Sequence, residues 1–230
     1  MIDFSKIGTG TTVDTVLPPR EIFNALPHKD DEKFQYPRDV QSQVWTKWFA
    51  RREEESLVIK MNTGSGKTVV GLLILKSCLN EGKFPAVYIC PDKYLVQQVL
   101  DASKELGVEV TDDVNSPRFL SGKAILVANI YKLVNGKSVF GVGDEGAKLN
   151  ISSIIIDDAH ACLETIEDQF TINVPAGTDA YNELFGILRD ALHSQCESKA
   201  IEIESGDPTG YLQVPYWTWQ EKISEITSVL

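Results

Sequence analysis

Four short apolar runs, most followed by a stretch of helical character, recur between residues 57 and 157, and this rhythm limits the fold more than any other feature. The runs are 57–61 (LVIKM), 86–90 (AVYIC), 124–128 (AILVA) and 151–157 (ISSIIID), and helical patterns follow at 67–80, 94–106 and 130–134. Runs without polar alternation belong to strands buried on both faces, and strands alternating with helices form parallel sheets. The expected class is therefore α/β, with a parallel sheet sandwiched by helices. In such sheets ligands bind beyond the carboxyl ends of the strands, so chemistry is sought there.

Length and composition bound the rest. The 230 residues, 43% of them hydrophobic and 24% charged, suit one large domain or one domain with an elaboration. No apolar run approaches the roughly 18 residues of a membrane helix, and the first twenty residues lack the pattern of a secretory signal. A cytoplasmic protein that does not engage a membrane is expected. Cys78, Cys90, Cys162 and Cys196 form no C-x-x-C pair, so reduced, mostly buried thiols are expected rather than a disulfide or metal site. With 22 basic against 33 acidic residues the net charge is −11, which argues against gripping nucleic acid by bulk charge and leaves only local contacts.

The pattern divides the chain into an N-terminal extension (1–33), an α/β domain (34–165) and an insertion (166–230). The extension is rich in turns, with a short helix around 21–25 and a charged run from His28 to Lys33. Residues 40–52 carry Val40, Val44, Trp45, Trp48 and Phe49 at helical spacing, the stripe of a core-facing amphipathic helix. The insertion predicts a helix over 181–194, a hairpin over 201–214 turning at 206–210, and a helix over 219–229. Its aromatic residues Tyr211, Tyr216, Trp217 and Trp219 suit packing against a domain, with nucleobase stacking as the competing reading.

The first apolar run leads into Asn62-Thr63-Gly64-Ser65-Gly66-Lys67-Thr68, after which a helix begins. Glycines at 64 and 66 let successive amide N–H groups converge, and the helix N-terminus adds its positive end, so the loop is built for an anion. Lys67 would reach the β- and γ-phosphates of a nucleotide and the Thr68 hydroxyl would ligate Mg²⁺. Met61 stands where the full G-x-x-x-x-G-K-[ST] pattern has its first glycine. A nucleoside triphosphatase also needs a carboxylate near the metal, and 151–158 (ISSIIIDD) supplies two at the end of a strand whose three consecutive isoleucines, 154–156, suit burial. Asp157 would hold Mg²⁺ through water, and Asp158 would orient the attacking water. The competing reading makes an aspartate the cap of the following helix.

These motifs together resemble the first RecA-like domain of superfamily 2 DExD/H-box helicases and nucleic-acid translocases, over roughly residues 34–165. Asp157-Asp158-Ala159-His160 is similar to the DExH tetrad, Thr63 to Thr68 reads TGSGKT, and Arg38-Asp39-Val40-Gln41 is similar to the adenine-reading glutamine motif. Pro91 to Gln98 and Val127 to Leu133 resemble segments that contact the nucleic-acid backbone, with Gln97 or Gln98 at the glutamine position and Asp92 in place of the usual threonine. The resemblance implies a RecA-like P-loop fold and ATP and Mg²⁺ as cofactors. It also implies a site made of Arg38, Gln41, Thr63, Gly64, Ser65, Gly66, Lys67, Thr68, Asp157, Asp158 and His160, with Thr68 and Asp157 toward the metal, and DNA or RNA as partner.

The base position usually carries Glu, so Asp158 has about 1.5 Å less reach. In the family His160 couples to a later Ser-Ala-Thr segment, and a second RecA-like domain supplies arginine fingers. Residues 166–230 contain neither, which gives the expectation of one half of a two-domain motor, truncated after its insertion. Two alternatives remain open: a nucleotide-gated nucleic-acid binding module with negligible turnover, and another P-loop enzyme such as a small-molecule kinase or GTPase. Against the last stand the lack of an N-K-x-D pattern and the placement of Gln41 before the loop.

Overall fold

A computed structural model describes residues 16–27, 34–135, 138–140 and 148–230. The charged run His28 to Lys33 and the first fifteen residues of the extension lie outside these. The described residues fall into two compact units that divide between Phe170 and Thr171.

The first unit is built on a parallel sheet of β1 (Ala86–Cys90), β2 (Val110–Thr111), β3 (Ile125–Asn129) and β4 (Ser153–Ile156), in the order β2-β3-β1-β4. In register, Val87 stands between Leu126 and Ile154, and Tyr88 between Val127 and Ile155. Alternate residues of each strand face opposite sides. Ala86, Tyr88, Cys90, Ile125 and Val127 face one core, and Val87, Ile89, Leu126 and Ala128 face another. The α/β sandwich read from the apolar runs is thus the observed architecture.

Helices α1 (Pro19–Ala25), α2 (Asp39–Ala50), α3 (Lys67–Asn80) and α4 (Lys93–Leu106) bring their apolar residues to the first core. The second holds Phe119 of α5 (Pro117–Leu120), Ile130 of α6 (Ile130–Val134) and Cys162 of α7 (Ala159–Gln169). α3 is apolar nearly all round, the pattern of a buried helix, and Leu72, Leu73 and Leu75 have almost no exposed surface. α4 starts where the Asp92 carboxylate accepts the Leu95 amide at 2.8 Å and stops at Gly107, whose φ of 81° closes the helix in the left-handed region. Trp45 is core, as its helical spacing predicts. Its indole donates to the Val70 carbonyl at 3.4 Å and its ring lies 5.8 Å from that of Phe23.

Two expectations for the sheet fail for one reason. Residues 57–61 form no strand, and Val58 is 98% exposed. In β4, Ile154 and Ile156 are 43% and 41% exposed, and only Ile155 packs inward against the first core. β4 pairs with β1 on one side and has no neighbour on the other among the described residues. An apolar run without a ladder partner keeps its backbone groups toward water, and the outer side chains of an edge strand lose half their cover.

The second unit is helical, with α8 (Asp179–Gln195), α9 (Glu197–Glu204), α10 (Tyr216–Glu221) and α11 (Ile223–Val229) around Leu188, Leu192, Ala200 and Ile226. The hairpin expected at 201–214 is replaced by α9 and an Asp207 turn. Ile201 and Ile203 alternate like a strand, yet Lys199 and Glu202 pair at 2.6 Å across one helical turn, and the Asp207 carboxylate accepts the Thr209 amide. The helix expected over 219–229 is broken at Lys222 into α10 and α11. Among the described residues no helix is long and apolar enough to cross a membrane.

Burial separates two apolar residues that the sequence alone makes look alike. Trp45→Ala empties a site whose side chain is 1% exposed and is expected to destabilise the protein by about 3–5 kcal/mol in denaturant unfolding. Val58→Ala, at a residue left in solvent, is expected to stay within about 0.5 kcal/mol.

Candidate active site

Gly64 and Gly66 hold left-handed φ angles of 77° and 83°, which curl 62–66 back onto itself, with the Ser65 amide donating to the Asn62 carbonyl at 3.3 Å. Gly66 is also the N-cap of α3, and its carbonyl accepts the Val70 amide at 3.2 Å. No side chain caps α3 and its first turn has no acidic residue, so its opening amides face the loop without an internal anion. A Cβ on Gly64 would meet nothing within 4 Å. Lys67 is exposed and has no ion-pair partner among the described residues. These features fit a phosphate chain.

Two α2-proximal side chains brace the loop from behind. The Arg38 guanidinium donates to the Gly64 carbonyl, and the Gln41 amide donates to the Gly66 carbonyl at 3.4 Å. Gln41 is buried, and its own carbonyl accepts the Arg38 amide at 2.9 Å. A Cβ on Gly66 would displace the Gln41 amide group, while the φ of 83° by itself favours glycine there. Arg38 and Gln41 therefore join the loop through its backbone.

At the end of β4 the Asp157 amide donates to the Ile89 carbonyl at 2.8 Å, which fixes the residue beside β1. Its carboxylate is held at both oxygens: Oδ1 accepts the Asp158 amide at 3.0 Å and Oδ2 accepts the Tyr88 hydroxyl at 2.9 Å. Thr68 stands in the first turn of α3, the helix on which the Tyr88 ring packs at Gly71. Tyr88 thus links the loop helix to the acidic strand end, although its run reads simply as an apolar strand. The one available signal was a phenol within a buried aliphatic run, since a buried hydroxyl needs a partner.

Asp158 has φ 46° and ψ 61°, and is the only non-glycine residue with positive φ among the described residues. It precedes α7 but its side chain does not cap that helix, which leaves the carboxylate exposed. Such a conformation is sparsely populated outside glycine and marks positions where a side chain is held for a purpose. His160 is not gathered with these groups. Its side chain is 90% exposed and its Nε2 lies 3.6 Å from the Glu164 carboxylate one turn along α7.

The carboxylates raise the local negative field. Burial, followed by the charge of Asp157, pushes the Cys90 thiol up to about 12, and burial followed by the charges of Asp158 and Asp157 pushes Cys162 up to about 11. Burial also raises the Tyr88 phenol well above its ordinary range, with the neighbouring Asp157 charge adding to it. No group of three or more His, Cys, Asp or Glu side chains suited to a metal exists among the described residues. Mg²⁺ does not need one, because it keeps several waters and takes one or two protein oxygens together with phosphate oxygens. Thr68 Oγ and the Asp157 carboxylate are oxygen donors of that kind.

The 91–98 and 127–133 segments lie at the same end of the sheet. Asp92, Lys93, Tyr94, Asn129 and Tyr131 line an open cavity of about 660 Å³ beyond β1 and β3. Tyr94 and Tyr131 are exposed, the Asn129 side chain accepts the Lys132 amide at 3.3 Å, and Gln97 donates to Asp101 at 3.1 Å.

A parallel sheet with a glycine loop opening a buried helix, and an aspartate at a neighbouring strand end, is the architecture of RecA-like nucleotide-binding domains. The family model described as "Type III restriction enzyme, res subunit" matches residues 35–185. The chain belongs to that family, and the matched domain is the N-terminal RecA-like domain of superfamily 2 DExD/H-box helicases, a group of ATP-dependent enzymes acting on nucleic acid. No curated protein and no solved structure matches the chain.

The four thiols report the field and the burial together. All are free, Cys196 is partly exposed, and a hydrogen bond from Ser198 lowers its pKa. Alkylation follows the thiolate, so iodoacetamide at pH 8 should modify Cys196 first. Cys162, with a pKa near 11, holds about one thiolate in 10³ at that pH and should react far more slowly, faster by roughly tenfold per pH unit. Peptide mapping by mass spectrometry reads the order.

Proposed function

We propose that the chain is the ATP-binding half of an ATP-dependent helicase or translocase, holding MgATP between the 62–68 loop and the end of β4. The observation that carries this reading is the closeness of the loop helix to the acidic strand end: the Tyr88 ring packs on Gly71 of α3 while its hydroxyl donates to the Asp157 carboxylate at 2.9 Å. The converging amides of Thr63 to Thr68 and the N-terminus of α3 would bind the phosphates, with Lys67 on the β- and γ-oxygens. Mg²⁺, held by Thr68 and Asp157 through its waters, would neutralise charge on those oxygens. Asp158, exposed in its left-handed turn, would accept a proton from the attacking water and orient it. Arg38 keeps the loop curled, and Gln41 keeps one amide hydrogen and one lone pair for the adenine edge. His160 would join the site only through contact with a further element.

DNA or RNA would run past Tyr94, Asn129 and Tyr131, where backbone contacts need only local polar groups. Unit charge favours this side over the aromatic residues of α10. Residues 171–230 contain three Lys and Arg against nine Asp and Glu, and all three cations are already paired: Arg189 with Glu204, Lys199 with Glu202 and Lys222 with Glu225. A phosphate backbone would find no free cation there. The domain division proposed from the sequence is 1–33, 34–165 and 166–230, and the acidic charge of 171–230 speaks against nucleic-acid contact in that part. A second RecA-like domain would complete the site from the other side of the nucleotide.

A nucleotide-gated binding module with negligible turnover is the second reading, and the short, solvent-facing Asp158 favours it. ATP turnover measured with and without single- and double-stranded nucleic acid separates the two. Stimulated turnover supports the motor, nucleotide-dependent nucleic-acid binding without turnover supports the module, and phosphorylation of a small molecule removes both. Without an arginine finger, turnover is expected to be lower by about 10³–10⁵ than in a complete motor. Lys67→Ala should weaken ATP binding by about 10- to 100-fold, read by titration with a fluorescent ATP analogue. Unchanged affinity in that variant would remove the loop assignment.

A further inference from the structure

Tyr88 is a costly residue to keep. Its ring is 1% exposed in the middle of the central strand, and its hydroxyl lies beside a carboxylate. α3 makes room for it with a glycine in its interior. A Cβ on Gly71 would stand 2.7 Å from Tyr88 Cε2 and 3.5 Å from two Ile155 side-chain carbons. Glycine inside a helix weakens it, so the packing gives up helix stability to admit a phenol where a valine or isoleucine would fill an aliphatic strand.

The hydrogen-bond directions at the hydroxyl are constrained. The phenol has one proton, and the ionised Asp157 Oδ2 can only accept, so that proton points to Asp157. Asp157 is meanwhile pinned at Oδ1 by the Asp158 amide, which prevents its carboxylate from rotating. Chains of hydrogen bonds of this kind polarise one another and hold their members in one arrangement.

We infer that Tyr88 is a positioning residue that presets the Asp157 carboxylate of the magnesium site before nucleotide and metal arrive. The inference rests on the MgATP reading above. Tyr88 touches neither metal nor phosphate and acts through its hydrogen bond to Asp157. Outer-shell groups that orient ligands typically change metal affinity by about 10- to 100-fold when removed.

Tyr88→Phe removes the hydroxyl and keeps the ring against Gly71 and Ile155. Two affinities are measured on the full 230-residue chain: Mn²⁺ binding in the presence of ADP by electron paramagnetic resonance, and binding of a fluorescent ATP analogue in EDTA. The expected result is an Mn²⁺ affinity weaker by about 10- to 100-fold with metal-free nucleotide affinity within about twofold of wild type. Wild-type Mn²⁺ affinity in the variant overturns the inference. A parallel loss of both affinities also overturns it, because the hydroxyl then serves the fold rather than the metal oxygens. A wild-type chain that binds no nucleotide in either condition overturns the MgATP reading, and the role of Tyr88 with it. Metal-dependent wild-type binding together with an unaffected variant removes the role of Tyr88 alone.

Discussion

The pairing of β1 with β4 is the interaction on which the site depends. These strands are far apart in sequence, and their register sets Tyr88 opposite Ile155 and Ile89 opposite Ile156. The bond from the Asp157 amide to the Ile89 carbonyl carries the ladder one residue beyond the strand. A slip of one residue would turn every side chain of β4 to the other face. Asp157 would then point toward the Phe119 and Ile130 core instead of the start of α3. Register is fixed because Ile155 packs against the first core while Tyr88 fills the space over Gly71.

On the loop side the same demand for preorganisation is met by backbone contacts. A segment with two left-handed glycines has many conformations when free, and ordering it costs entropy. Arg38 and Gln41 hold the Gly64 and Gly66 carbonyls, and both side chains are anchored at the start of α2, whose Trp45 sits deep in the core. The loop therefore receives its shape from a helix before it in sequence as well as from the one it opens. The edge position of β4 has the opposite character. Among the described residues its outer side is unpaired, and Val58 and Ile59 before the 62–68 loop are exposed, so both segments that lead into the site carry apolar side chains facing water.

Much of this was legible in the sequence. The apolar runs at 86–90 and 124–128 and the helices that follow them are governed by local pattern and burial, and they formed as read. The glycines of the loop were legible because only glycine takes their φ angles without strain. The 57–61 run was misread because its composition is that of a strand, whereas strand formation needs a partner that composition does not specify. In α9 the alternation of Ile201 and Ile203 mimicked a strand until the Lys199–Glu202 pair and the Asp207 turn were in view. Gln41 and Arg38 were found by motif, but their contacts with loop carbonyls were not, since those depend on how α2 is seated.

By itself, then, the sequence determined the parallel α/β class, the anion-seeking loop and the presence of acidic groups at a strand end. Each of these follows from residue type at short range: burial periodicity, glycine φ, helix ends and fixed charge. Tertiary structure decided which groups meet. It brought the Tyr88 hydroxyl to Asp157 and its ring to Gly71, left His160 in solvent facing Glu164, put Asp158 in a left-handed turn, and made β4 an edge among the described residues. Those outcomes depend on strand order and register, which are set by contacts between residues distant in the chain and so have no local signature.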